Sequence, residues 1–348
     1  MRILQQATMI ASMILATSLP TSAAEVESMI GRTIDEFELK DFRGKTHQLA
    51  EFADKKLIVV AFLGTECPLA KLYAPRMQQL SEEFATRGVA FIGINSNRQD
   101  SITEMANHAR IHNMQFPFLK DVGNHVADQF GATRTPQIFV LDADRVIRYH
   151  GRIDKQYSFG AGVGYAAPKS QRRDLAIALE ELLAGKEVSV PVTEPKGCLI
   201  GRVREANSDS EVTYSNQIAR IFQDRCVGCH REGQIAPFAM TNYDEVAGWG
   251  EMIAEVVSER RMPPWHADPN FGTFANDSRL SSEEQEMISE WVTNGCPEGD
   301  VAKLPEPREY PEGWMMPQEP DQVIYFGDKP VPVKAEGVEP YRHYTVNP

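Results

Sequence analysis

Leu57-Ile58-Val59-Val60-Ala61-Phe62-Leu63-Gly64-Thr65-Glu66-Cys67-Pro68-Leu69-Ala70 is a continuous apolar, β-branched run that stops at a glycine and then meets a cysteine. A run of this kind predicts a central strand buried on both faces, because a half-exposed strand would alternate apolar with polar residues. A helical pattern follows to about Arg87, so Cys67 sits where a strand ends and a helix begins. There the thiol faces unsatisfied amides and the positive end of the helix dipole, which favours the thiolate. Glu66 works the other way, since a neighbouring carboxylate raises a thiol's pKa. The sequence leaves that balance open.

Outward from this stretch the same grammar repeats. Gly31 to Leu39 alternates and leads into a turn at Asp41-Phe42-Arg43-Gly44-Lys45, and Val89 to Asn95 reads as a second buried strand. Ser101 to His112 reads as an amphipathic helix, with a short one near Val126 to Phe130 and a last one from about Arg172 to Ala184. Gln137 to Leu141, the turn Asp142-Ala143-Asp144-Arg145 and Val146 to Tyr149 form a hairpin. Strands alternating with helices and closing on a hairpin predict a mixed α/β sheet over residues 28–190.

These pieces resemble the thioredoxin-like fold, in the branch of redoxin and alkyl hydroperoxide reductase/thiol-specific antioxidant domains. The resemblance rests on Phe37-x-Leu39-x-Asp41-x-x-Gly44-Lys45, the strand-to-helix Cys67, Pro75 eight residues later, and Thr135-Pro136. It implies that Pro136 is cis and borders Cys67, so Cys67, Thr135 and Pro136 are the candidate catalytic residues. Where the C-x-x-C of a thioredoxin has its second cysteine this chain has Ala70. The threonine and proline before the peroxidatic cysteine of peroxiredoxins are replaced by Gly64 and Val60. Neither enzyme signature is complete, so an attacking Cys67 needs a resolving thiol from elsewhere. Cys198 lies just past the last helix of this domain and is the candidate; Cys296 reads as a small buried residue at a helix end.

A second constellation, Cys226-Val227-Gly228-Cys229-His230, places two thiols three positions apart with an imidazole directly after. This is the attachment pattern of a c-type haem, the cysteines adding across the vinyl groups and the histidine closing on the iron. A zinc pair would need a second pair of ligands at finger or ribbon spacing, which is missing. Helices are expected over Tyr214 to Arg225, Glu245 to Arg261, and from a capping box at Ser281-Ser282-Glu283-Glu284 with Met287, Ile288, Trp291 and Val292 on its apolar face. Residues 214–304 thus resemble a small, mostly α monohaem cytochrome c domain, joined to the first by a linker at 191–213. Met262, in Arg261-Met262-Pro263-Pro264-Trp265-His266, is the expected sixth ligand of the iron, with His266 or an open position as alternatives. His47, His108, His112, His125 and His150 lack ligand-like spacing and read as core or surface residues.

With 348 residues, 42% hydrophobic and 24% charged, the chain accommodates two globular domains and a further piece. A net charge of −13 argues against nucleic acid and anionic membrane surfaces as partners. Residues 1–24 carry Arg2, a short apolar run and a small-residue end, the plan of a secretory signal, and no other stretch reads as a membrane span. A periplasmic or otherwise exported location is expected, which suits covalent haem. Residues 305–348 form a Pro-rich, β or irregular tail that resembles the lead-in to copper type II ascorbate-dependent monooxygenase domains. The chain carries no copper ligands of that family, and His343 reads as a surface residue. The expected function is an exported redox protein that combines haem c electron transfer with thiol chemistry on disulfides or peroxides at Cys67, working with redox partner proteins. The alternatives are a non-catalytic thioredoxin-like docking module whose haem domain feeds a copper monooxygenase, as a partner or a missing domain, and a haem peroxidase.

Overall fold

The computed structural model describes residues 28–310 except 161, 162, 168, 169, 171, 266 and 269, together with 320–325, 327 and 341–345. The expected signal segment and most of the tail lie outside the described residues. In chain order the strands are β1 (Glu38–Asp41), β2 (Thr46–Gln48), β3 (Leu57–Phe62), β4 (Val89–Asn95), β5 (Phe118–Lys120), β6 (Arg134–Thr135), β7 (Gln137–Leu141), β8 (Ile147–Gly151), β9 (Tyr157–Gly160), β10 (Val163–Ala166) and β11 (Cys198–Leu199). The helices are α1 (Pro68–Ala85), α2 (Ile102–Ile111), α3 (His125–Phe130), α4 (Asp174–Leu183), α5 (Ala219–Arg225), α6 (Tyr243–Ala247), α7 (Gly250–Ser258) and α8 (Ser282–Thr293).

Seven strands make one sheet in the order β2-β1-β5-β4-β3-β7-β8, with β3 in its interior, parallel to β4 and antiparallel to β7. The continuous apolar run is explained by the two faces it serves. Leu57, Val59 and Ala61 point into one core with α1, while Ile58, Val60 and Phe62 point into the other with α3. β7 obeys the same alternation, Ile138 and Val140 on one side and Phe139 and Leu141 on the other. With side chains on opposite faces at a period of two, a strand covered on both sides has no position left for a polar residue. Residues in the N-terminal part therefore form a thioredoxin-like α/β fold.

The rest is helical. The single helix expected over Glu245 to Arg261 is two, α6 and α7, broken at Gly248-Trp249. Gly248 lies against Gln99 and Gly201, an approach a Cβ would obstruct, and Trp249 turns inward to stack on Phe238 with ring centroids 4.2 Å apart. The helix expected from Tyr214 begins as a π turn over Tyr214–Ile218 before α5. α8 opens with the expected capping box: the Ser281 hydroxyl accepts from Glu284 N–H (3.1 Å) and the Glu284 carboxylate accepts from Ser281 N–H (2.6 Å). Phe222 of α5 packs edge-on against the fully buried Trp291 of α8. No described residue of the tail forms a strand, and among the described residues no helix is long and apolar enough to cross a membrane.

Between the two parts, residues expected as linker contain β11. It runs antiparallel to β6, with Cys198 opposite Thr135 and Leu199 opposite Arg134. Cys198 belongs to the core on the α1 side and Ile200 to the core on the α3 side, so the connection is embedded in the fold.

Candidate functional site

Cys67 caps the N-terminus of α1, as the end of the buried strand required, and is 0% exposed. The Thr135-Pro136 peptide is cis, and the Cys67 thiol lies 2.9 Å from the Thr135 carbonyl, to which it donates. β11 brings Cys198 to the same point; it is 6% exposed and both cysteines are free thiols. Burial works to raise the Cys67 pKa, but hydrogen bonding from the Cys198 thiol and backbone and from the Ala70 backbone outweighs it and brings the thiol down to about 7. Cys198 moves upward, because its proton is held by the Cys67 sulfur and burial adds to the same effect. Of the two thiols, Cys67 is therefore the one favoured to ionise and Cys198 the one favoured to keep its proton. Glu66, the opposing charge in the sequence, is paired with Lys71 at 2.7 Å.

The loop before Cys67 is held by a buried polar network that the sequence did not single out. One Asp100 carboxylate oxygen accepts from Thr65 N–H (2.8 Å), Asn95 Nδ2 (2.6 Å) and Asn97 Nδ2 (2.9 Å). Lys120 Nζ donates to Asn95 Oδ1, to Asn97 O and to Asp100 O at 2.6 to 2.9 Å. The available signal was the switch from Ile94 to Asn95-Ser96-Asn97 at the end of a buried strand, where polar residues must find partners. Arg134 was also missed. Its guanidinium donates to the Gly197 carbonyl (2.8 Å) and pairs with Glu255 of α7 (2.6 Å), which in turn accepts from Arg261 (2.6 Å).

The second constellation lies at the end of α5. Cys226 is half-buried and its thiol is pushed up to about 12, first by desolvation and then by the Glu284 carboxylate, whereas Cys229 is exposed. His230 Nδ1 lies 3.1 Å from the Phe238 carbonyl. With Nδ1–H donating there, Nε2 is left with its lone pair, the tautomer a metal requires. Burial lowers the pKa of His230, and the bond to Phe238 offsets part of that effect. Met262 lies on the wall of a cavity of about 400 Å³ shared with Pro263, Trp265 and Leu280; His230 is not on that wall. Arg225, next to Cys226, donates to Glu284 at 3.1 Å, which ties this segment to the α8 terminus lining the cavity. Trp265 Nε1 is buried without a hydrogen-bond partner among the described residues, as a donor reserved for a bound group would be. Cys226, Cys229 and the oriented His230 imidazole are donors of the kind a covalently held haem needs, but the structure does not bring Met262, the expected sixth ligand, into one cavity with His230. His266, the alternative ligand, lies outside the described residues.

His108 is buried in the core, where burial first, then the charges of His112 and Lys71, hold it down at about 4. Cys296 is buried after α8, as expected for a residue at a helix end.

The AhpC/TSA family model matches residues 30–150. Those residues form a thioredoxin-like AhpC/TSA domain. The domain is 27% identical over 124 residues to the thiol-disulfide oxidoreductase ResA of Halalkalibacterium halodurans, covering 36% of this chain and 65% of that protein. Chloroplastic peroxiredoxin Q of Triticum aestivum is 30% identical over 120 residues, 32% of this chain and 54% of the relative. The chain spans less than two thirds of the length of these curated relatives. A solved structure of a hypothetical protein from Sinorhizobium meliloti 1021 aligns with 51% of this chain and 96% of its own at 29% identity, with a TM-score of 0.45.

Proposed function

We propose that this is an exported thiol-disulfide oxidoreductase in which Cys67 attacks and Cys198 resolves. The observation that carries the reading is the pairing of β11 with β6, which sets Cys198 opposite Thr135, the residue whose carbonyl accepts from the Cys67 thiol at 2.9 Å. The Cys67 thiolate attacks one sulfur of a partner disulfide, forming a mixed disulfide and releasing the partner's other sulfur as a thiolate. Cys198 gives up its proton and attacks the Cys67 sulfur, closing a Cys67–Cys198 disulfide and releasing the second partner thiolate. The partner gains two electrons and two protons, and the pair loses them. The name of the relative ResA supports exchange with disulfides. Against peroxide the same pair serves through a Cys67 sulfenic acid that Cys198 resolves with loss of water, a reading favoured by the likeness to peroxiredoxin Q.

Peptide mapping under non-reducing conditions after mild oxidation tests the pairing. A Cys67–Cys198 peptide is expected, and Cys198→Ala should trap mixed disulfides on Cys67; linkage of Cys67 only to other cysteines removes the resolving role.

For the helical part we propose that Cys226, Cys229 and His230 would hold one haem c, with Met262 as the candidate for the iron's remaining ligand. The group would supply one-electron transfer, and a methionine ligand favours that use over peroxide chemistry. The chain's contribution is to fix the imidazole through Phe238 and to bury the Cys226 side of the attachment. Protein made in a host that attaches haem c should retain it covalently and show a far-red methionine band that Met262→Ala removes; a preparation without covalent haem eliminates this half of the reading.

A further inference from the structure

In this structure neither sulfur of the candidate pair is open to a macromolecule, and the segment responsible is the one that carries Cys198. Residues 194–199 cross the mouth of the site between two fixed points. On one side Thr193 N–H donates to the His150 carbonyl (3.0 Å); on the other Ile200 N–H donates to the Thr133 carbonyl (2.9 Å) and Gly201 N–H to Asn97 Oδ1 (3.1 Å). Between them the segment occupies the free edge of β6 as an antiparallel strand of two residues, with its cysteine opposite Thr135. Such an edge is where an extended peptide docks by adding a strand. The chain has placed its own cysteine-bearing strand there.

We propose that residues 194–199 are a movable strap that stands in for substrate. Resting on the exchange reading above, it follows that an extended, cysteine-bearing segment of a partner reaches Cys67 only when the strap lifts from β6. When the strap returns it evicts the partner strand from that edge and delivers Cys198 to the Cys67 sulfur. Resolution and product release then become one movement. The strap is built to move: it has two ladder residues, against five or more in the β3 pairings, and short pieces of few backbone bonds open first. It is also built to return. Gly197 adopts φ +149° so that its backbone lies directly against the Thr135 carbonyl, where a Cβ would overlap. Arg134 holds the Gly197 carbonyl from one side while bonded to Glu255 of α7, and Leu199 N–H points at Met252 Sδ of the same helix (3.3 Å).

The test uses the full reduced chain and two variants, Gly197→Ala, which wedges the strap off Thr135, and Arg134→Ala, which removes its clamp without adding bulk. Labelling of Cys67 by a maleimide is followed by peptide mass spectrometry at the high-pH plateau of each protein, so that thiolate fraction does not enter. Hydrogen exchange at the Leu199 amide, which points at Met252 Sδ, reports the strap. Both variants should label Cys67 at least ~10-fold faster than the parent and lose Leu199 protection, as expected when a local opening barrier is lowered. Equal labelling rates in proteins whose Leu199 protection has fallen overturn the proposal, and so does unchanged protection in both variants. Labelling needs no turnover, so failure here is distinct from failure to exchange disulfides.

Discussion

Cys67 shows how much of a reactive residue is set by its neighbours. At its ordinary value of 9.0 a thiol is about one part in a hundred thiolate at pH 7; at about 7 it is roughly half ionised. Burial alone would move it the wrong way, so the donors decide the sign, and the Cys198 thiol is foremost among them. Cys198→Ala deletes that donor while keeping the site buried. The midpoint of the pH dependence of Cys67 alkylation should therefore rise from about 7 towards or beyond 9.0. Reactivity grows as pH rises through the midpoint in either protein; a midpoint that stays near neutrality in the variant would show that the backbone donors of Ala70 and residue 198 suffice. The position of Cys67 was legible, because a buried strand that stops at glycine and restarts as a helix leaves one place for a capping residue. Its partner was legible only as a candidate. Whether a cysteine more than a hundred residues away returns to the site depends on a two-residue strand, too short to print a period on the sequence.

At the level of elements, legibility followed burial. β3, β4 and β7 are buried on both faces and read as continuous apolar runs; α8 announced itself through its capping box. Ile58 packs wholly within the α3-side core, so Ile58→Ala should destabilise the chain by ~2–5 kcal/mol through lost transfer energy and the cavity left behind. Ser281→Ala removes the cap of α8 and should cost ~0.5–2 kcal/mol in chemical denaturation. A loss below that range would mean that α8 is held by Trp291 and its neighbours with little help from its first turn. The break between α6 and α7 escaped the sequence because the apolar period continues through it. What ends α6 is the approach of Gly248 to Gly201 and Gln99, a contact between segments far apart in the chain.

For the whole molecule the question is whether the thiol pair and the helical part belong to one cooperative unit. Several contacts argue that they do. One hydrophobic core runs from Leu57 and Tyr73 through Cys198 to Phe222 and Trp291, and the Arg134–Glu255–Arg261 group ties β6 to α7. The four tryptophans, Trp249, Trp265, Trp291 and Trp314, all follow residue 248, so tryptophan emission sees only the helical part and the tail. Hydrogen exchange at the β3 amides, in the interior of the sheet and independent of the strap, sees only the α/β domain. In urea the two probes should report the same midpoint in the reduced protein. Closing a Cys67–Cys198 disulfide would constrain a loop of about 130 residues in the unfolded chain and stabilise the domain that contains it by up to ~5 kcal/mol. If the molecule is one unit, the tryptophan midpoint must rise with oxidation even though no tryptophan lies within that loop. A tryptophan transition indifferent to the state of the thiols would instead mean that the helices melt on their own, and that the contacts along α7 pass no free energy between the two parts.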